Sequence, residues 1–264
     1  MFELGQARTF LLSLLPGVFW ITYLRSLSGG RVSAWWKWVV ALIAGWASTE
    51  LTLLASDALG VGVLKAIPHL GLLLFFVVGV GLVEELAKAV CALVALKLPG
   101  LIDRPLSALQ LSCGVALGFA TAENILYAQN FGDTVLVFRF VLATLGHLLF
   151  SSIWGFALGS QTTISLKTGE RVKKTPWKLF AAMVLLSALA HGLYDWFLIS
   201  DRPMFAVLLL VVLWVGFRET ALSAYLGQEY RRDLPFELAP CSTCSVLTRA
   251  EGQFCSYCGE ALKR

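Results

Sequence analysis

Ionisable side chains interrupt the long apolar stretches of this sequence. Four consecutive stretches each contain a short polar motif: Glu84-Glu85-x-x-Lys88, Phe119-x-x-x-Glu123-Asn124, an isolated His147, and His191-x-x-x-Asp195. If these stretches cross a membrane, the charges are costly, and ionisable groups at such depth indicate a functional site by default. The residues able to do chemistry are therefore expected inside the lipid bilayer.

The spacing within two motifs places polar groups on a common helix face. Glu84 and Lys88 are four residues apart with the acid nearer the N-terminus, which is the favourable order for an ion pair. His191 and Asp195 have the same spacing and also share a face. Each motif alone is compatible with a packed histidine or a self-neutralised pair, but the combined set favours a shared site.

Water activation is the chemistry that these side chains support best. A carboxylate shielded from water can act as a general base. Two imidazoles and a carboxylate can hold Zn²⁺ with one position left open for water. Without a metal, a glutamate base and histidine donors around an oxyanion could hydrolyse an amide. Both arrangements fit hydrolysis of a peptide bond within the membrane, and the residues leave the choice open.

The elements that must position this site are membrane helices. Hydrophobic residues make up 58% of the chain, charged residues 14%, and the mean hydropathy is +0.75. Each apolar segment is near the ~20 residues that cross a bilayer, and backbone amides in hydrocarbon require a helix. The sequence predicts an all-α polytopic protein with about seven transmembrane helices, roughly at Thr9–Leu24, Trp38–Ser56, Leu70–Leu96, Ser107–Ala128, Val135–Ser160, Leu179–Ser200 and Met204–Leu226.

The distribution of lysine and arginine predicts the orientation. These residues concentrate in the odd-numbered loops and the C-terminal tail, which the positive-inside rule places in the cytoplasm. With seven spans the N-terminus lies outside, and the first apolar segment is interpreted as a retained span. In this arrangement Glu84, Glu85, His147 and His191 fall near mid-membrane. Glu123 and Asp195 lie somewhat further out, and we expect all six residues to line one cavity that opens toward the exterior half.

A separate cysteine module is predicted at the C-terminus. Cys241 and Cys244 form one CxxC pair, and Cys255 and Cys258 form another after ten residues. This spacing suits four thiolates around one structural Zn²⁺, with no position left open for catalysis. The alternative is two disulfides, which a reducing cytoplasm disfavours. The predicted division is a membrane domain at 1–227, a linker at 228–240 and a zinc ribbon at 241–264, with a docking partner in the cytoplasm.

The four ordered motifs resemble those of the PrsW family, which is similar to the CAAX prenyl protease and bacteriocin-processing group of intramembrane proteases. The resemblance covers roughly residues 70–200. It implies site-2-type cleavage of membrane proteins such as anti-sigma factors, in the bacterial cytoplasmic membrane. It implies Glu84 or Glu85 as the water-activating carboxylate. Glu123, His147 and His191 would complete the site, also as candidate ligands of a catalytic zinc ion, and Lys88, Asn124 and Asp195 would be supporting groups.

Two other classes of function fit the residues. A proton- or ion-coupled transporter would also carry buried acids and histidines, although no repeat is evident in the sequence. A non-catalytic scaffold would use the zinc module as its working part. The protease is the preferred hypothesis. Its expected partners are the lipid bilayer and a membrane-protein substrate, and no nucleic acid is expected.

Overall fold

The computed structural model describes residues 2–26, 34–102, 105–168, 177–229, 238–243, 247–255 and 258–262. Within these ranges the chain is a bundle of long helices followed by a small tail. The α-helices are α1 (Phe2–Ser26), α2 (Trp35–Leu59), α3 (Gly71–Leu74), α4 (Val83–Ala95), α5 (Pro105–Phe131), α6 (Val135–Phe138), α7 (Thr144–Thr168), α8 (Trp177–Ile199) and α9 (Pro203–Glu229).

Two of the predicted spans are interrupted by π-helical turns. Residues Phe75–Leu82 join α3 to α4, and residues Arg139–Ala143 join α6 to α7. Such π-helical turns are uncommon and occur frequently at functional sites. A short 3₁₀ helix, Val61–Ala66, precedes the first of them. Each of these two spans is therefore one continuous helical segment that changes from α-helical to π-helical geometry over part of its length.

Five helices are long and apolar enough to cross a membrane: Gly5–Ser26, Trp35–Leu59, Leu106–Phe131, Val135–Gly159 and Trp177–Ile199. They confirm a multi-pass membrane protein and five of the predicted spans. The third predicted span contains a π-helical stretch and three charged residues, and the seventh is α9. Whether these two segments also cross the membrane stays a prediction.

The bundle is built around α5, which packs against α1, α2 and α7. Glycines bring the neighbouring backbones close together. A Cβ added to Gly45 would overlap the backbone of Val115, and one added to Gly118 would overlap that of Leu42. Small residues at such positions allow the close approach of two helices that is typical of helix–helix contacts in membrane proteins.

Glycines also allow α8 to pack closely against the first π-helical segment. A Cβ at Gly81 would overlap the backbone at Ala188, and a Cβ at Gly192 would overlap the backbone at Val77. Gly192 directly follows His191, and Gly81 lies three residues before Glu84. This close contact therefore brings two of the four motifs together.

The tail contains two short strands. Strand β1 (Leu238–Pro240) pairs antiparallel with β2 (Leu247–Arg249), with Ala239 opposite Thr248. An isolated bridge joins Phe254 to Ala261. Strand β2 lies in the predicted zinc ribbon and β1 at the end of the predicted linker, and the described residues of the membrane part contain helices joined by turns and no strand. Residues 230–237 of the predicted linker lie outside the described part of the chain.

Candidate active site

Lys88 lies at the centre of a buried polar cluster. Its ammonium is 2.8 Å from Glu85 Oε1 and 3.2 Å from Glu84 Oε2, and its side chain is fully buried. The predicted pairing of Glu84 with Lys88 is thus present, but Glu85 is the closer partner. The ammonium also lies 4.0 Å from the ring centroid of Phe119, where a cation–π contact adds to its stabilisation.

Both oxygens of Glu85 are occupied by donors. Lys88 binds Oε1, while Ser151 Oγ (2.9 Å) and Trp154 Nε1 (3.1 Å) donate to Oε2. Ser187 Oγ is 3.0 Å from the same oxygen and 2.7 Å from the carbonyl oxygen of Phe150, so its single proton is shared between them. Glu85 is fully buried and held by four side chains, as a buried charge requires.

His147 connects Lys88 to Glu123. Its Nδ1 is 3.1 Å from Lys88 Nζ, and its Nε2 is 2.8 Å from Glu123 Oε2. An ammonium can only donate, so Nδ1 is the acceptor and, in the neutral ring, Nε2 carries the proton that is donated to Glu123. This assignment of the tautomer leaves the Nδ1 lone pair directed toward Lys88 and Glu84.

Arg139 fixes Glu123 and Asn124 from the second π-helical segment. Its Nη2 donates to Glu123 Oε2 at 2.6 Å and its Nε donates to Asn124 Oδ1 at 2.7 Å. Asn124 Nδ2 in turn donates to Thr144 Oγ1 at 3.2 Å. Arg139 is not among the site residues singled out from the sequence, and the available signal was its position eight residues before His147 in the same span.

His191 faces three carboxylates. Its Nε2 is 3.5 Å from Asp195 Oδ2 and 3.7 Å from Glu84 Oε2, and its Nδ1 is 3.3 Å from Glu85 Oε1. The ring stacks on Phe150, with centroids 4.8 Å apart, and lies edge-on to His147. The imidazole is thereby held in place by packing as well as by polar contacts.

The cluster borders a cavity of about 510 Å³. The acidic, basic and imidazole side chains that line it are Glu84, Glu123, Arg139, His147, His191 and Asp195. Glu85, Lys88 and Asn124 lie behind this wall, where they hold the lining residues. The eight membrane residues singled out from the sequence are therefore brought into one cluster, which Arg139, Ser151, Trp154 and Ser187 complete. The expectation that Glu85 also lines the cavity was wrong, because its carboxylate is turned to buried donors of the neighbouring helices.

Three of the lining residues could hold a metal ion. Donor atoms of Glu84, His147 and His191 all lie within 4.8 Å of one another. Two nitrogens and one oxygen form a donor set that suits zinc. Four carboxylates and two cations give the cluster a formal charge of −2 when both histidines are neutral, which a divalent cation would balance. The residues therefore fit a divalent metal, with the Lys88 ammonium as its competitor for Glu84 and His147.

The sequence profile described as "PrsW family intramembrane metalloprotease" matches residues 33–217 of this 264-residue chain. The chain belongs to the PrsW family. The matched range contains all four membrane motifs and ends before the cysteine tail. The resemblance predicted from those motifs is thereby confirmed, and the tail is outside the shared region.

Curated relatives agree with this membership. Protease PrsW of Geobacillus kaustophilus is 35% identical over 120 residues, which cover 44% of this chain and 50% of that protein. Protease PrsW of Shouchella clausii is 30% identical over 139 residues, 51% of this chain and 60% of that protein. Protease PrsW of Clostridioides difficile is 29% identical over 215 residues, 78% of this chain and 86% of that protein.

The chain thus spans about half the length of the first of these PrsW relatives and three fifths of the second. No solved structure matches it.

The cysteine tail of this PrsW-family chain forms a second candidate metal centre. The thiols of Cys241, Cys255 and Cys258 lie within 4.8 Å of one another, and Cys241 Sγ is 3.7 Å from Cys258 Sγ. Cys244, the fourth predicted ligand, lies outside the described residues. The three described thiols therefore lie close enough together to bind one metal ion.

Proposed function

We propose that this PrsW-family chain is an intramembrane endopeptidase that hydrolyses peptide bonds of membrane-protein substrates. Its active site is formed by Glu84, His147 and His191. The observation that carries the proposal is the convergence of one carboxylate and two imidazoles on a buried cavity in the membrane part of the chain. This constellation supplies the groups that activate water for attack on an amide.

Glu84 is the water-activating carboxylate, and Glu85 is a positioning residue. Glu84 lines the cavity, and in the described part of the chain its close polar contacts are all made through Oε2. Its Oε1 is therefore left to accept a proton from water. Glu85 lies behind the wall with both oxygens occupied, so it can hold Lys88 but has no room to take up a proton from a substrate water.

Glu84, His147 and His191 are also the residues that would hold a catalytic metal ion. When bound, such an ion supplies polarisation of the peptide carbonyl and a more acidic water. The neighbouring side chains keep these ligands in place. Glu123 accepts the Nε2 proton of His147 and so directs Nδ1 inward, which is the tautomer control typical of histidine ligands. Glu85 Oε1 lies 3.3 Å from Nδ1 of His191, which leaves Nε2 of that ring directed toward Glu84 and Asp195.

The walls of the cavity support an apolar, membrane-embedded substrate. Phe75, Phe76 and Val80 of the first π-helical segment line it together with Val135 and Phe138. Phe138 is 70% exposed on the outer surface of the bundle, where lipid would contact it. A transmembrane segment of a substrate could reach the acidic residues from this side. We propose that the substrates are anti-sigma-factor-like membrane proteins, the class that the family resemblance implies.

The same proposal includes the setting of the protein. The chain lies in the bacterial cytoplasmic membrane with its N-terminus outside and its C-terminus in the cytoplasm. The membrane domain covers residues 1–227, the linker 228–240 and the zinc ribbon 241–264, in which Cys241, Cys244, Cys255 and Cys258 bind a structural zinc ion. The ribbon docks a cytoplasmic partner.

Mapping of new protein termini tests the activity and does not require an identified substrate. Bacteria that lack their own PrsW-family protease would express the wild-type chain, Glu84→Gln or Glu50→Gln. Glu50 is an exposed residue of α2 outside the cluster, so it is a control for the same chemical change. Mass spectrometry of the membranes should find new termini within predicted spans for the wild type and Glu50→Gln. Their persistence in Glu84→Gln cells, or their absence from all cells, would contradict the proposal.

A further inference from the structure

Tyr194 carries a buried hydroxyl that the site so far described does not use. The residue is 3% exposed and lines the cavity, and its hydroxyl has no hydrogen-bond partner among the described residues. Leaving a buried hydroxyl unpaired is costly, so this group points to a ligand that would supply the missing acceptor. The ring is held by Phe150, with centroids 5.5 Å apart.

Arg139 presents further donors to the same cavity. A guanidinium has five N–H groups, and the two hydrogen bonds to Glu123 and Asn124 use Nε and one proton of Nη2. Its plane is fixed over the ring of Tyr127, with Cζ 3.9 Å from the centroid. Arg139 and Tyr194 line the same cavity as Glu84. Two preorganised donors therefore border the space beside Glu84.

The net charge of the cluster determines which hydrogen-bond acceptor the cavity favours. With four carboxylates against two cations, the cavity disfavours an anionic ligand such as a chain-terminal carboxylate. The carbonyl of an internal peptide bond is neutral in the ground state and becomes an oxyanion only during attack by water. Donors fixed before the reaction stabilise the charge that develops at that moment.

We propose that Tyr194 and Arg139 bind the carbonyl oxygen of the scissile peptide bond, which rests on the proposed protease function. The water oxygen adds to the carbonyl carbon while its proton passes to Glu84. The carbonyl oxygen becomes an oxyanion that accepts hydrogen bonds from both donors. When the C–N bond breaks, the leaving nitrogen takes up the proton, and the oxyanion returns to a carbonyl as part of the new carboxyl terminus.

Tyr194→Phe tests the inference because it removes one oxygen atom and no packing. The rate at which new termini appear after induction should fall on the order of 100-fold, the effect of losing one oxyanion donor. The melting temperature of the purified protein should stay unchanged or rise, because an unpaired buried hydroxyl is lost. Arg139→Lys keeps the positive charge but removes the planar guanidinium, which can bind Glu123, Asn124 and the carbonyl oxygen at the same time, and should show a similar fall. Tyr23→Phe, the same change in α1 away from the cavity, should retain the wild-type rate.

The outcomes separate this inference from the protease proposal. If wild-type cells yield no termini that depend on Glu84, the protease proposal fails and the role of Tyr194 fails with it. If they do yield such termini, a wild-type rate in Tyr194→Phe or Arg139→Lys overturns the inference alone. A slower Tyr194→Phe protein that also melts at a lower temperature overturns it as well, because the hydroxyl would then be structural.

Discussion

The two adjacent glutamates should respond differently to the same isosteric change. In Glu85→Gln, Ser151 and Trp154 still need an acceptor, so the amide oxygen must face them and the NH₂ group must face Lys88. A charge pair at 2.8 Å is replaced by two opposed donors in a fully buried site. Breaking a buried pair in this way costs about 3–5 kcal/mol.

The lower part of that range applies here, because Lys88 keeps Glu84 at 3.2 Å and His147 at 3.1 Å. A loss of about 3 kcal/mol corresponds to a fall in melting temperature of about 6–12 °C, by the scaling for soluble domains of about this length. Glu84→Gln retains an oxygen for Lys88 and relieves some repulsion among the carboxylates. We expect it to change the melting temperature by less than about 4 °C while abolishing cleavage.

The melting temperatures of both variants are measured by intrinsic tryptophan fluorescence during heating in detergent, with Glu50→Gln as the control. We expect Glu84→Gln to melt within about 4 °C of Glu50→Gln, and Glu85→Gln to melt about 6–12 °C below Glu50→Gln. A Glu84→Gln protein that melts as low as Glu85→Gln would refute the assignment of a chemical role to the first acid and a positioning role to the second.

Three further changes test the surroundings of the site and the tail. Glu123→Ala removes the acceptor that directs His147, so the initial cleavage rate should fall about 10–100-fold relative to Glu50→Gln, and an unchanged rate would contradict this role. Gly192→Ala should lower both cleavage and melting temperature because its Cβ would overlap the first π-helical segment, whereas Gly216→Ala, which meets open space, should alter neither. Cys255→Ser should lower the zinc content per chain, measured by mass spectrometry of the purified protein, without slowing cleavage; retained zinc would argue against the tail site.

The positions of five membrane helices could be predicted from sequence because length and hydropathy report spans directly. The interruptions of the third and fifth segments could not. A π-helical turn changes backbone hydrogen bonding, but its residues, Phe75–Leu82 and Arg139–Ala143, are as apolar as their surroundings apart from one arginine. Hydropathy therefore predicts a continuous helix in both places.

The convergence of the four motifs was predictable because buried charges need partners. The polar residues that hold Glu85 were not predictable. Ser151, Ser187 and Trp154 are common packing residues in membrane helices, and only the tertiary contacts show that they all bind one carboxylate. Arg139 was left outside the site because an arginine near the start of a span is equally compatible with the membrane interface.

The measurement that tests the central claim most directly is a double-mutant comparison of cleavage rates. Residues of one hydrolytic centre act as a unit, so their effects are far from additive. Glu84→Gln and His191→Ala should each reduce the rate to near background, and the double variant should be no slower than either one. If each single variant retained substantial activity and the double variant showed the product of the two reductions, Glu84 and His191 would act independently, and the proposed centre would be contradicted.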